Sequence, residues 1–119
     1  MKFIMKWNVE HHEVPVLMEL MVLLDDKQDR LTQLQQHVDD LISPLCYGEG
    51  WALLMGDNAL CNGRVTWRVP VDSKLYKFMP DHSYVNGCPV AVGSVLLVKD
   101  DGEDFRGFDQ SELMKLIRK

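Results

Sequence analysis

The chain has 119 residues, 46% hydrophobic and 26% charged, with a net charge of −5; this composition excludes a disordered chain and fits one ordinary globular domain. Residues 1 to 57 hold ten acidic and four basic side chains, residues 58 to 80 one acidic and four basic, and the remainder seven acidic and five basic, so most of the surface repels phosphate. The start MKFIMKWNVEHHEV lacks the apolar run of a signal peptide, and VPVLMELMVLL is far short of a bilayer span.

Phe3, Met5, Trp7 and Val9 alternate as on a strand with one buried face. Pro15 suits the first turn of a helix. From there Leu17, Leu20, Leu24, Leu31, Leu34, Val38 and Leu41 occupy seven-residue a and d positions, with Lys27 as the break in the series. Leu, Met, Gln and Glu are good helix formers. The spacing therefore predicts one long helix over roughly residues 15 to 42, or two helices separated near DDKQD. The preserved heptad phase favours continuity; in the alternative, Asp26 or Asp29 caps a second helix. Ser43-Pro44 is the expected stop, because a residue before proline is pushed out of the α region.

Beyond CYGEG the period becomes two. WALLM reads as a strand, GDN as a turn and ALC as a short strand. Asn62-Gly63 is a type I′ hairpin signal. After it, RVTWRVPV places Val65, Trp67, Val69 and Val71 on an inner face and Arg64, Thr66 and Arg68 on an outer one, with Pro70 ending the strand or marking an edge. DSKLYKFMPD is irregular, and Asn86-Gly87 is a second turn. VAVGSVLLV reads as one buried strand, ended by the DDGED turn, with DFRGF as a short return. Asp109 and Glu112 form a capping box that opens SELMKLIRK, whose Lys115, Arg118 and Lys119 suit a helix C-terminus. The expected fold is a single α+β domain over residues 1–119. It is an antiparallel sheet of about five strands with one long helix (or a helical hairpin) on one face and a short C-terminal helix.

The three cysteines, Cys46, Cys61 and Cys88, are odd in number with no close pair, which implies free thiols in a reducing cytoplasm. With His11, His12 and His82 they show no CxxC, HxxxH or HExxH spacing, so neither metal nor cofactor is expected. Cys46 with His82 is the pairing an enzyme reading would use, although a cysteine beyond a helix C-terminus meets a dipole that opposes its thiolate. Arg64, Arg68, Lys74, Tyr76 and Lys77, with Phe78, are residue types that bind single-stranded nucleic acid; a solvated outer strand face explains the same pattern. Asp100, Asp101, Glu103 and Asp104 surround Gly102 without the spacing of a calcium loop.

Val16, Leu17, Met18, Leu20, Met21 and Leu24 lie where the predicted helix is apolar nearly all round. One sheet face cannot cover every side of such a helix, so part of that surface is expected to meet another chain or a second layer of the same chain, with a homodimer as the leading expectation. The leading expectation is a small acidic cytoplasmic protein-binding module without catalysis, of the inhibitor, immunity-factor or adaptor kind. Its acidic residues Asp25, Asp26, Asp29, Asp100, Asp101, Glu103 and Asp104 would steer a basic protein partner. A nucleic-acid-associated regulator using residues 64–78 is the alternative, and a small cysteine-dependent enzyme the third reading.

Overall fold

A computed structural model of the protein describes residues 1–11, 13–59 and 64–118. His12, Cys61, the Asn62-Gly63 turn and Lys119 lie outside the described residues. The chain begins with β1 (Phe3–Glu10) and β2 (Val16–Leu23), paired antiparallel from Phe3↔Leu23 to Glu10↔Val16. The first half of the predicted long helix is thus a strand. Successive side chains of a strand point to opposite faces of the sheet, so its apolar residues are shared between the two faces and not gathered on one stripe. Leu17 and Met21 join the core on one side of the sheet, while Val22 and Leu24 join the core on the other.

The helix that remains, α1 (Arg30–Val38), has nine residues. Asp29 starts it by accepting from the Thr32 N–H at 2.9 Å and the Thr32 hydroxyl at 2.8 Å, which supplies an orphan first-turn donor with its acceptor. Asp39, at φ 53°, ends it in the left-handed region. The Asp25–Asp29 patch is therefore a turn and a cap, not the middle of a continuous helix. Gln33 holds that turn: its Oε1 accepts from the Asp25 N–H at 2.8 Å, and its Nε2 donates to the carbonyls of Asp25 at 2.7 Å and Gln28 at 3.2 Å.

Seven further strands follow α1: β3 (Ile42–Tyr47), β4 (Trp51–Gly56), β5 (Thr66–Arg68), β6 (Tyr84–Val85), β7 (Cys88–Val92), β8 (Val95–Asp100) and β9 (Phe105–Arg106). A six-stranded sheet runs β2-β1-β8-β4-β3, with β9 also on β8, and a three-stranded sheet runs β5-β7-β6. Every pairing is antiparallel. Ser43-Pro44 ends no helix; it lies inside β3, an edge strand whose register shifts between Pro44 and Cys46, as edge prolines allow. VAVGSVLLV is two strands, not one. Gly93, at φ 67°, turns the chain from the small sheet into the large one.

β5 pairs with β7. Trp67 and Val69 are buried as the alternation requires, but Val65 and Val71 are 37% and 77% exposed because the strand spans only three residues. Asn86-Gly87 forms the β6–β7 turn, both residues at positive φ. The last helix, α2 (Gln110–Arg118), begins with half of the expected capping box. The Glu112 carboxylate accepts from the Asp109 N–H at 3.1 Å, while the Asp109 carboxylate accepts from Lys2 at 2.7 Å instead.

The large sheet separates two cores. On one face Ile4, Ala52, Leu54, Leu96 and Val98 meet Leu34 and Val38 of α1. On the other, Met5, Trp7, Leu53, Val95 and Leu97 meet Trp67, Leu75, Phe78, Ala91, Leu113 and Ile117, from the small sheet, the 71–79 segment and α2. Glu19 fastens that segment to the sheet. Its Oε1 accepts from Trp7 Nε1 at 2.9 Å, Ser73 Oγ at 2.6 Å and the Lys74 N–H at 2.9 Å. Burial pushes the Glu19 carboxyl up, but these donors outweigh it and hold the group below its ordinary value. The fold is α+β, and no described helix is long and apolar enough to cross a membrane.

Candidate protein-docking surface

The two acidic segments of the sequence meet at the start of α1. Arg30, the first residue of the helix, pairs with Asp104 in the β8–β9 turn, 74 positions away. The turn is built by its own carboxylates. Asp100 accepts from the Gly102 N–H at 3.0 Å, and Asp101 accepts from the N–H groups of Glu103 at 3.0 Å and Asp104 at 2.8 Å. Gly102, at φ 90°, supplies the conformation the turn requires. The two backbone donors, followed by the Arg106 guanidinium, hold the Asp101 carboxyl down to about 2. Asp101 therefore stays ionised, and its local charge is fixed.

Between α1, the β3 edge and this turn lies a shallow groove. One hollow of about 350 Å³ is lined by Leu31, Ile42, Tyr47, Asp100, Glu103, Asp104 and Phe105. A second, of about 260 Å³, shares Leu31, Ile42, Asp104 and Phe105 with it and adds Asp29, Arg30 and Leu34. The floor is apolar and the rim carboxylate-rich. Tyr47 stacks on Phe105 with ring centroids 6.3 Å apart. Leu31 and Tyr47 are 50% and 59% exposed, a contiguous pair of large apolar side chains inside an acidic border.

Around the α1 N-terminus the surface continues into a cleft of about 450 Å³, lined among others by Asp25, Asp26, Asp29, Lys2, Lys99 and Arg106. The cations here are already neutralised: Lys2 by Asp109, Lys99 by Glu112 at 2.8 Å, Arg106 by Asp101 and Arg30 by Asp104. No local pattern in the sequence distinguishes Arg30, Tyr47 or Phe105. Leu31 carries a heptad spacing that signals core, yet a nine-residue helix buries only Gln33, Leu34 and Val38.

The other residues singled out in the sequence are dispersed. Arg64 donates to the Asp39 carboxylate at 2.8 Å and carbonyl at 3.0 Å, at the C-terminus of α1. Lys77 donates to the Leu116 carbonyl at 2.9 Å in α2 and lies 5.2 Å above the Phe78 ring. Tyr76 meets Tyr84 edge-on, and Arg68 is exposed on β5. Two of the cations thus serve helix C-termini, where the dipole favours them. Leu24 is buried within its own chain, whereas Val16 and Leu20 on β2 are exposed.

Cys46 lies on β3, not beyond a helix. Its thiol donates to the Phe78 carbonyl at 3.4 Å, and burial pushes its pKa up, away from a nucleophilic thiolate. His82 is exposed on a 3-10 turn, Asp81–Ser83. Lys6 Nζ and His37 Nδ1 approach to 3.4 Å, and burial lowers the pKa of both. No three His, Cys, Asp or Glu side chains converge as metal ligands among the described residues. No protein-family model, no curated protein and no solved structure matches this chain.

Proposed function

We propose that the protein is a small non-catalytic binding module of the reducing cytoplasm, of the inhibitor, immunity-factor or adaptor kind, that captures a basic protein partner in the groove between α1, β3 and the β8–β9 turn. One observation supports this above the others: two acidic segments distant in sequence border a single apolar floor, joined by the Arg30–Asp104 pair. Interfaces place an apolar or aromatic anchor at the centre and charge at the rim. The partner segment therefore carries an aliphatic or aromatic side chain for the Leu31–Tyr47–Phe105 floor, flanked by Lys or Arg for Asp29, Asp100 and Glu103. The rim charges govern the association rate and its salt dependence, while the floor governs residence time.

The test is an NMR titration with a short synthetic peptide in which one leucine or phenylalanine is flanked by lysines. Shifts are expected at Leu31, Tyr47 and Phe105. They weaken when Asp100→Asn and Glu103→Gln neutralise the rim, and disappear with Leu31→Asp. Shifts scattered evenly over all acidic residues, or unchanged in the Leu31→Asp variant, reject the groove as the docking surface.

A further inference from the structure

Among the described residues, β2 pairs only with β1 and forms one edge of the large sheet. The Leu24 N–H donates to the Lys2 carbonyl at 2.9 Å, which makes Lys2 and Leu24 a hydrogen-bonded pair of the antiparallel ladder. Such pairs recur at every second residue. The even-numbered residues of β2 therefore turn their backbone groups towards β1, and Leu17, Glu19, Met21 and Leu23 turn theirs outwards. No backbone group of another described residue bonds these outward groups.

An exposed edge of this kind is ordinarily guarded by proline, lysine, a bulge or an inward-pointing charge that repels a newcomer. The opposite edge, β3, is guarded by Pro44 and a register shift. β2 has neither: its eight residues VLMELMVL keep unbroken register with β1 and contain no proline or lysine. Its one charge is no guard, because the Glu19 carboxylate is turned back onto Trp7, Ser73 and Lys74 of its own chain.

We propose that β2 is a homodimer interface, in which it pairs antiparallel with β2 of a second copy and continues the sheet across the two-fold axis. The parity of the ladder fixes the register, because outward residues must face outward residues. An axis through Leu20 sets Leu17 opposite Leu23 and Glu19 opposite Met21 of the other copy, using the whole exposed ladder in about eight backbone hydrogen bonds. An axis through Glu19 sets two carboxylates opposite each other and is disfavoured. With Leu20 on the axis, Met18, Leu20 and Val22 of both copies form one apolar row, and Leu20 is 39% exposed in the single chain. A second copy fits this edge better than a basic segment, since the only carboxylate on β2 is already engaged and the matching strand is neutral and apolar. The β3-side groove remains open in each copy, so this inference stands independently of the proposed function.

The test measures mass by sedimentation equilibrium from about 1 to about 100 µM at about 0.15 M salt, together with amide hydrogen exchange. The wild-type chain is expected near twice its 13.7 kDa, with slow exchange at Leu17, Glu19, Met21 and Leu23. Leu20→Lys, which sets two ammonium groups on the axis, is expected to halve the mass with an unchanged circular dichroism spectrum; Leu31→Lys in the groove leaves the mass doubled. A wild-type monomer throughout this range overturns the inference, as does a folded Leu20→Lys variant that remains dimeric. Should that variant fail to fold, the wild-type amides decide: rapid exchange at the four outward positions overturns the proposal, and protection that strengthens with concentration supports it.

Discussion

Gln33→Leu tests whether one buried amide holds the acidic turn beside the groove. Gln33 is 7% exposed, and its three hydrogen bonds all close the turn from Asp25 to Gln28. Leucine nearly matches its volume, so little cavity forms. What is lost is three bonds at about 1 kcal/mol each, offset by roughly 1 kcal/mol from the added apolar burial. The expected destabilisation is about 2 kcal/mol, rising to about 4 kcal/mol if water cannot reach the freed Asp25 groups. Urea denaturation measures it as a lowered midpoint with an unchanged slope. Gln33→Glu adds a discriminating sign. Its carboxylate keeps the acceptor for the Asp25 N–H but faces two carbonyls, so its folded pKa is raised above its unfolded value. The cost of that substitution shrinks as pH falls towards about 4, where protonation restores a donor. A Gln33→Leu midpoint equivalent to within about 0.5 kcal/mol of wild type would refute the claim that Gln33 holds the turn.

Several features made by near neighbours were legible in the sequence. The alternation of β1, the WALLM strand, the Asn86-Gly87 turn, the DDGED turn and the Asp109–Glu112 pairing each depend on neighbours a few residues away. β2 is ambiguous in the sequence because VLMELMVL satisfies two periods at once. Residues apolar on both faces of a strand also populate a heptad stripe, and only its pairing with β1 removes the ambiguity. The Gly93 corner was hidden inside an unbroken apolar run, since composition does not report a φ of 67°. The acidic rims were visible as composition, but their meeting was not. It depends on Arg30 reaching Asp104, and on Leu31 being left half exposed by a helix shorter than its stripe.

Trp67 is buried and its Nε1 donates to the Gly93 carbonyl at 2.8 Å, so Trp67→Ala is expected to cost about 3–5 kcal/mol in urea denaturation. Arg68→Ala, on the exposed face, changes stability by less than about 0.5 kcal/mol; reversed costs would invert the face assignment. Stability should fall with acid in two stages. His37, its pKa lowered by burial and then by Lys6, favours its neutral form when folded, so stability declines as pH drops below the ordinary 6.5. Glu19, Asp29, Asp40, Asp101, Asp109 and Glu112 all have lowered pKa values; their contribution is present above about pH 4 and is lost as pH falls through their folded pKa values, to about 2 for Asp101. Denaturation midpoints from neutral pH down to about 2.5 check both stages, and stability that rises between pH 6.5 and 5 contradicts the first. The last prediction separates protein docking from nucleic-acid binding. Arg64 is paired with the Asp39 carboxylate and carbonyl, and Lys77 with the Leu116 carbonyl, so a phosphate at either cation competes with a partner of the chain itself. Part of the charge of both cations is offset within the chain, and a net charge of −5 adds long-range repulsion. Fluorescence titration with single- and double-stranded oligonucleotides at about 0.15 M salt is expected to show no saturable binding tighter than micromolar. Arg64→Ala then lowers stability, through the freed C-terminus of α1, without changing oligonucleotide affinity. Tight saturable binding that is abolished by Arg64→Glu with Arg68→Glu, in a chain that stays folded, would move the functional surface from the α1–β3 groove to β5.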